Sequence, residues 1–161
     1  ELFKDKSINA DNLIVEDLGE IREETVKLRK RYGFTRQKIL QFSIDLDNCY
    51  DKDNEDENVL VFPGNHDCNT IYGWYKTLDD EHKWKLKEFL RRNECYDINV
   101  NIGIMQYLLK CKAKMPIIMV QDILGLDETA RINLPGTESD KNWSWKLIDF
   151  EDFKERIKDW K

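Results

Sequence analysis

The stretch Val59-Leu-Val-Phe-Pro-Gly-Asn-His-Asp67 decides the fold, because an apolar run ends there in a turn that carries polar and charged side chains. Two further runs bring an acid at or near their far end: Asn12-Leu-Ile-Val-Glu-Asp17 and Met115-Pro-Ile-Ile-Met-Val-Gln-Asp122. Apolar runs without alternation are typical of strands buried on both faces of a parallel sheet. We therefore predict an α/β fold whose functional residues gather at the carboxyl ends of the strands.

The order of the predicted elements supports this fold class. Residues 37–44 complete a set of four predicted strands, and the segments between them predict helices with right-handed crossovers. The predicted helices cover residues 20–31, 70–76, 79–92, 99–112 and 151–160, with Gly33 ending the first and Asp149 capping the last. We expect residues 1–161 to form one domain, about four βα units or half of a TIM-type (β/α)8 barrel, since a full barrel needs about 250 residues.

Composition narrows the function. The chain has 26 Lys and Arg against 32 Asp and Glu, and this acidic balance disfavours nucleic acid as a partner. It has no signal peptide and no apolar run of membrane length, so we predict a cytoplasmic protein that does not bind membranes. The four cysteines have no zinc-ligand spacing and are expected to be free thiols. The acidic stretch 45–58 is predicted to be a solvated loop; a calcium site is the alternative.

Two places carry candidate catalytic groups. Glu16 follows an apolar run, where partial burial would suit a general acid; a helix cap or an ion pair of Glu16 or Asp17 is the alternative. His66 and Asp67 follow a Pro-Gly turn and could hydrogen-bond the hydroxyls of a polar ligand. The alternative is that Asp67 caps the helix that begins near Thr70.

Three tryptophans offer flat apolar faces of the kind on which sugar rings stack: Trp74, Trp143 and Trp145. A single Trp more often packs in a core. However, Asn142-Trp-Ser-Trp145 lies with Arg131 in a long irregular stretch, and long loops at a barrel rim tend to be functional. Acids, amides and Trp without a phosphate loop or a dinucleotide fingerprint indicate chemistry on a neutral polyhydroxy ligand, without a cofactor or a metal.

The chain resembles the amylomaltase family, the disproportionating 4-alpha-glucanotransferases, in a series of ordered blocks. These are Val15-Glu-Asp-Leu-Gly19, Lys38-Ile-Leu-Gln-Phe42, Gly64-Asn-His-Asp67 with Gly73-Trp74, Gln121-Asp-Ile-Leu-Gly-Leu126, Ala130-Arg-Ile-Asn133, Pro135-Gly-Thr137 and Asn142-Trp-Ser-Trp145. The resemblance runs from about residue 10 to residue 147.

The resemblance implies a retaining transfer of α-1,4-glucan segments, from maltooligosaccharides, glycogen or starch-like glucans, to an acceptor sugar. A glucosyl-enzyme ester forms and a second glucan hydroxyl, instead of water, receives the sugar. Glu16 matches the family's general acid/base, and Asp67 matches the acid that holds sugar hydroxyls and stabilises the transition state. The substrate-binding residues that we predict are Asn65, His66, Trp74, Asp122, Arg131, Asn142 and Trp143.

The chain also departs from the family pattern. The family's nucleophilic Asp lies in an Arg-x-Asp-His block upstream of the Glu16 segment, and no such block occurs here. The resemblance therefore implies that the chain is the C-terminal half of a TIM-type (β/α)8 barrel. This fragment would be inactive alone, and it would need the N-terminal half of the barrel or would self-associate. A non-catalytic glucan-binding or structural module is the alternative. The family commonly has Thr, Asn and Asp at the positions of Asn65, Cys68 and Asn69, so the surroundings of Asp67 are altered.

Overall fold

A parallel four-stranded sheet forms the centre of the molecule. The structure is a computed structural model that describes residues 9–16, 21–52, 57–95 and 98–158. The strands are β1 (Ile14–Val15), β2 (Thr35–Ile39), β3 (Ile44–Asp45), β4 (Tyr50–Asp51), β5 (Val59–Phe62) and β6 (Met115–Pro116). The sheet has the order β1-β2-β5-β6 with all pairs parallel, while β3 and β4 form a separate antiparallel hairpin. The predicted α/β class with a parallel sheet is confirmed.

Helices follow the strands, mostly where the apolar periodicity predicts them. They are α1 (Glu23–Tyr32), α2 (Leu40–Ser43), α3 (Ile71–Thr77), α4 (Asp80–Arg92), α5 (Val100–Lys110), α6 (Val120–Ile123) and α7 (Phe150–Lys158), with 3-10 turns at Ala10–Asn12 and Glu128–Ala130. Gly33 ends α1 in the left-handed conformation, and Asp149 Oδ1 accepts the N–H groups of Glu151 and Asp152 at the start of α7. Both predicted helix boundaries are confirmed. Glu20, Trp160 and the segment Asp17–Gly19 lie outside the described residues.

The core lies between the sheet and helices α3, α4 and α5. One apolar cluster joins the strand residue Val61 to Ile71, Leu86 and Ile104 on the three helices, all of which are buried. Phe89 and Tyr107 meet edge to face in the same cluster, with ring centroids 4.8 Å apart. This packing fixes one layer of helices against the sheet, and so fixes where the β5 to α3 connection lies.

The second predicted strand is shorter than its apolar run. Residues 37–44 were expected to form one strand, but β2 ends at Ile39 and the chain turns into α2. The main-chain N–H of Gln41 donates to the carbonyl of Pro63, and its side-chain Nε2 donates to the carbonyl of Asn69. Hydrogen bonds from Gln41 to the β5 to α3 connection, which is distant in sequence, therefore stabilise the turn that ends the strand.

The acidic stretch 45–58 is not simply a solvated loop. All of the hairpin of β3 and β4 except Ile44 lies within it, and Asp51 of that hairpin is buried in an ion pair with Lys38 of β2. Tyr107 on α5 also donates its hydroxyl to Asp51 Oδ2 at 2.9 Å, and burial raises the pKa of Tyr107. This buried network attaches the hairpin to the sheet and to the helix layer.

The predicted thiol state is confirmed: Cys49, Cys68, Cys95 and Cys111 are all free. Among the described residues, none of the helices is both long and apolar enough to cross a membrane.

Candidate active site

Asn65 links the ends of two strands at one edge of the sheet. Its side-chain Nδ2 donates to Glu16 Oε1 at 3.2 Å, and its Oδ1 accepts the main-chain N–H of Asp67 at 3.0 Å. Glu16 directly follows β1 and Asp67 follows β5, so Asn65 joins the Glu16 carboxylate to the main chain of Asp67 beyond the carboxyl ends of parallel strands. Glu16 is exposed, so the burial expected at this position is not seen.

Asp67 is held by a segment that lies more than sixty residues away in sequence. Asn133 Nδ2 donates to Asp67 Oδ1 at 2.7 Å, and the Arg131 guanidinium donates to the Asp67 carbonyl at 2.6 Å. The main-chain N–H of Asn133 donates to the carbonyl of His66 at 3.1 Å. The turn that carries Asp67 is thus bound through both its main chain and its carboxylate, which fixes the direction of the carboxylate.

Asp67 is not a helix cap. Thr70 fills that role for α3, since its hydroxyl accepts the N–H of Gly73 at 3.0 Å. The side chain of Asp67 is 42% exposed and that of His66 is 44% exposed, with His66 Nε2 lying 3.5 Å from Asp67 Oδ1. Both groups therefore keep surface with which a ligand could form hydrogen bonds.

Trp143 covers the His66 ring. The two ring centroids lie 5.2 Å apart at an interplanar angle of 35°, and Trp143 is still 65% exposed. Its backbone has φ of 61°, a left-handed conformation that is strained for an aromatic residue. The N–H of Trp143 donates to the carbonyl of Ile132 at 2.7 Å, and this bond holds the strained residue in place. An exposed ring is thus presented beside His66, which itself lies next to Asp67.

A cavity of about 660 Å³ opens beside Arg131 and Asn133. Leu134 and Trp145 supply apolar surface to it, and Asn142 lines it as well. Asn142 also binds its own loop, with Nδ2 donating to the Thr137 carbonyl at 3.0 Å and Oδ1 accepting the Leu134 N–H at 3.2 Å. The volume falls within the range of small-molecule binding sites.

Two of the predicted binding residues are partly or fully buried. Trp74 on α3 is half-buried and packs against the apolar core. Asp122 is 0% exposed, so as folded here it has no surface that a ligand could contact. Its Oδ1 accepts the N–H of Ile71 at 2.7 Å, and burial raises the pKa of its carboxyl to about 7. Trp74 therefore keeps part of its surface exposed, whereas Asp122 is enclosed.

Sequence reasoning missed the contribution of Asn133. It belongs to the Ala130-Arg-Ile-Asn133 block, but nothing in the local sequence indicates that its amide meets Asp67. The described residues contain no group of three or more His, Cys, Asp or Glu side chains that could hold a metal ion. The polar groups present are carboxylates, amides, an imidazole and a guanidinium, which suit hydrogen bonding to hydroxyls.

The fold and the site together define a class. A parallel sheet that gathers two acids, amide donors and an exposed aromatic ring at the carboxyl ends of its strands is typical of an α/β enzyme site. The model of the 4-alpha-glucanotransferase family matches residues 2–150. The chain therefore belongs to the 4-alpha-glucanotransferase family, as the sequence blocks predicted.

Individual relatives agree with this assignment. The chain is 35% identical over 144 residues to the chloroplastic/amyloplastic 4-alpha-glucanotransferase of Solanum tuberosum, which covers 88% of this chain and 24% of that protein. It is 37% identical over 140 residues to the 4-alpha-glucanotransferase of Clostridium butyricum, covering 85% of this chain and 28% of that protein. The chain thus spans about a quarter of the length of these relatives.

A solved structure agrees in fold. Amylomaltase from Streptococcus agalactiae in complex with acarbose matches with a TM-score of 0.76 and 28% identity. The match covers 91% of this chain and 30% of that one. The parallel sheet of this chain therefore corresponds to part of a larger α/β enzyme.

Proposed function

We propose that this chain is part of a 4-alpha-glucanotransferase and supplies two of the carboxylates that act on an α-1,4-glucan. The observation that carries the proposal is the Asn65 bridge, which joins the Glu16 carboxylate to the main chain of Asp67 beyond the carboxyl ends of β1 and β5. Membership of the family and the sheet topology support it. In the complete protein the four parallel strands would be half of a closed (β/α)8 barrel, with residues 1–161 forming a single unit.

Glu16 is proposed as the general acid/base. In the first step its carboxyl donates a proton to the leaving glycosidic oxygen as the bond to the anomeric carbon breaks. In the second step its carboxylate removes the proton from an acceptor hydroxyl, which attacks the anomeric carbon and displaces the enzyme ester. The exposure of Glu16 leaves room for both the leaving and the entering sugar.

Asp67 is proposed to hold sugar hydroxyls beside the reacting carbon. Because Asn133 binds Oδ1, the carboxylate is oriented before a sugar arrives, and His66 adds a second polar group at the same surface. Negative charge at this position would favour the positive charge that develops on the sugar ring in an oxocarbenium-like transition state. Asn65 and Arg131 support this group, and we propose that they and Asn142 also bound the glucan site.

A retaining transfer needs a nucleophilic carboxylate about 5 to 5.5 Å from the acid/base. We assign that role to no residue of this chain and propose that it comes from another part of the complete protein. This part would complete the barrel and is the partner that we propose for the chain. On this proposal the 161 residues alone are inactive in transfer.

The proposed ligand is a maltooligosaccharide or a longer α-1,4-glucan of glycogen or starch. The exposed Trp143 ring offers a stacking face, and the adjacent cavity combines apolar and amide surface. The acarbose complex of the Streptococcus agalactiae relative supports a sugar-like ligand. A purely non-catalytic module is less favoured, because the relatives named above are glucanotransferases.

The free cysteines fit a reducing compartment, and we propose the cytoplasm.

The test is Glu16→Gln in the complete protein, with transfer from maltotriose followed by chromatography of the products. We expect the rate to fall by at least about 10², because loss of a general acid/base removes this much or more. Glu23→Gln is the matched control, since Glu23 is an exposed glutamate of α1 paired with Lys27. Transfer by Glu16→Gln at the rate of the control would overturn the proposal.

A further inference from the structure

Two adjacent buried side chains lie beneath the candidate site and have no role in the chemistry proposed above. Gln121 is 2% exposed and Asp122 is 0% exposed, and both belong to the short helix α6. Polar side chains this deeply buried are seldom kept without hydrogen bonds. Their hydrogen bonds hold two different segments. One segment follows Asp67 in the chain, and the other carries the side chains that bind Asp67.

The Asp122 side chain binds the segment that follows Asp67. Its Oδ1 accepts the N–H of Ile71, the first residue of α3, at 2.7 Å. Only three residues separate Ile71 from Asp67, and Asn69 between them is held as well, since Gln41 Nε2 donates to its carbonyl at 2.8 Å. Movement of Ile71 would therefore be transmitted through a short, bonded turn to the carboxylate of Asp67.

The Gln121 side chain binds the segment that approaches Asp67 from the other side. Its Nε2 donates to the carbonyl of Ala130 at 3.3 Å, and Ala130 is itself buried. The next residue is Arg131, whose guanidinium binds the Asp67 carbonyl, and Asn133 follows with its bond to Asp67 Oδ1. The position of Ala130 thus sets where these two donors meet Asp67.

A third contact fixes the pair to the helix layer. Asn101 of α5, which is 2% exposed, donates its Nδ2 to the main-chain carbonyl of Asp122 at 3.1 Å. Asp122 Oδ2 and Asn101 Oδ1 are both buried acceptors without a hydrogen-bond partner among the described residues. Burial raises the pKa of Asp122 to about 7, and a proton on its carboxyl would supply a donor in this acceptor-rich spot.

We propose that Gln121 and Asp122 are positioning residues that act together on Asp67, one through Ala130 and Arg131 and the other through Ile71. This inference rests on the proposed role of Asp67 in glucan binding. It assigns to Asp122 a supporting function in place of the direct ligand contact that the sequence suggested. Misplacement of a reacting group by about 1 Å can lower a rate by about 10², so a buried pair of this kind can control activity without touching a ligand.

The first experiment measures the Asp122 contact independently of any ligand. In the complete protein, deuterium uptake is followed by mass spectrometry in the peptide that covers residues 64–72, for wild type, Asp122→Ala and Asp122→Asn. We expect at least tenfold faster exchange in Asp122→Ala, which loses the acceptor for the Ile71 N–H, and near wild-type exchange in Asp122→Asn, which keeps it. Equal exchange in all three proteins would overturn the inference, whatever the protein's function.

The second experiment asks whether Gln121 acts through Asp67. Calorimetry with acarbose gives Kd for wild type, Gln121→Met, Asp67→Asn and the double variant of the complete protein. We expect Gln121→Met to weaken binding about tenfold alone but less than twofold when Asp67 is already changed, because residues that act through one another are non-additive.

The control for both experiments is Thr35→Val, another buried polar side chain, which bonds Asn58 at the far end of β2. It should lower the thermal midpoint without changing Kd or exchange in residues 64–72. If the two substitutions weaken acarbose binding additively in the double variant, as a general loss of stability would, the inference is overturned. If wild type does not bind acarbose, the proposed function is in question, and the exchange experiment alone decides the inference.

Discussion

At the scale of single residues, the exposure of each side chain in the site matches the role that we propose for it. Trp143 is exposed and strained, which is unusual for a large apolar residue that serves only packing. Asp122 is fully buried, although it was expected to meet a ligand. Asn65 lies between them in exposure and joins the two acids. Exposure therefore separates the surface groups, which we propose to bind the ligand, from Asp122, which we propose to hold them in place.

We predict that Trp143→Ala in the complete protein weakens binding of maltoheptaose. Loss of one stacking face removes about 1 kcal/mol, which corresponds to about fivefold in Kd. Trp84→Ala is the matched control, because Trp84 on α4 is exposed to a similar extent, 63% against 65%. Calorimetry should show weaker binding only for Trp143→Ala; equal affinities of the two variants would contradict a stacking role.

At the scale of elements, the close approach of α3 to the 3-10 turn Glu128–Ala130 depends on Gly73. A Cβ atom at Gly73 would lie 2.8 Å from the main-chain nitrogen of Glu128, which is closer than real Cβ atoms come. Lys76 of the same helix pairs with Glu128 at 2.6 Å. The helix that follows Asp67 and the turn that precedes Arg131 are therefore packed directly against each other.

We predict that Gly73→Ala destabilises the protein, although Ala favours a helix by about 1 kcal/mol over Gly. Overpacking at this contact should cost about 1 to 3 kcal/mol and shift both elements. The measurement is the thermal midpoint of the complete protein, with Lys87→Ala on the exposed face of α4 as control. A midpoint for Gly73→Ala at or above that of the control would show that the contact tolerates a methyl group.

Local signals predicted some elements well and could not predict others. Acidic residues followed by basic ones, with Gly33 after them, predicted α1 close to its observed bounds, because these signals act within one helix. The early end of β2 depends on Pro63 and Asn69, and the Asp67 contacts depend on Asn133. Such contacts join residues more than twenty positions apart, so a local sequence pattern cannot reveal them. The family resemblance indicated Glu16 and Asp67, whereas only the structure shows the contacts that Asn65 and Asn133 make with them.

At the scale of the whole molecule, the sheet has two strands with one neighbour each. Among the described strands, β1 pairs only with β2, and β6 pairs only with β5. Apolar side chains are exposed on both edge strands, with Ile14 at 53% and Met115 at 54%, and on α2, with Phe42 at 73%. Unpaired strand edges and exposed apolar surface favour association with further strands.

We predict that the 161-residue chain, prepared alone, self-associates or is partly disordered, because these edges are then left without the rest of the proposed barrel. Light scattering over a range of concentrations and amide exchange of the sheet residues are the measurements. Phe42→Lys should shift the association to higher concentration, while Trp84→Lys, on the exposed face of α4, should not. A monodisperse, fully protected monomer would contradict this expectation.

The left-handed backbone of Trp143 has a consequence for how fast a ligand could bind. The strain is offset during folding by the bond from its N–H to Ile132, so the ring is in place before any ligand arrives. A preorganised surface avoids the entropic cost of ordering a protein loop when a ligand binds. Recognition at this ring would then resemble a lock and key, with an association rate governed by diffusion and orientation instead of loop rearrangement.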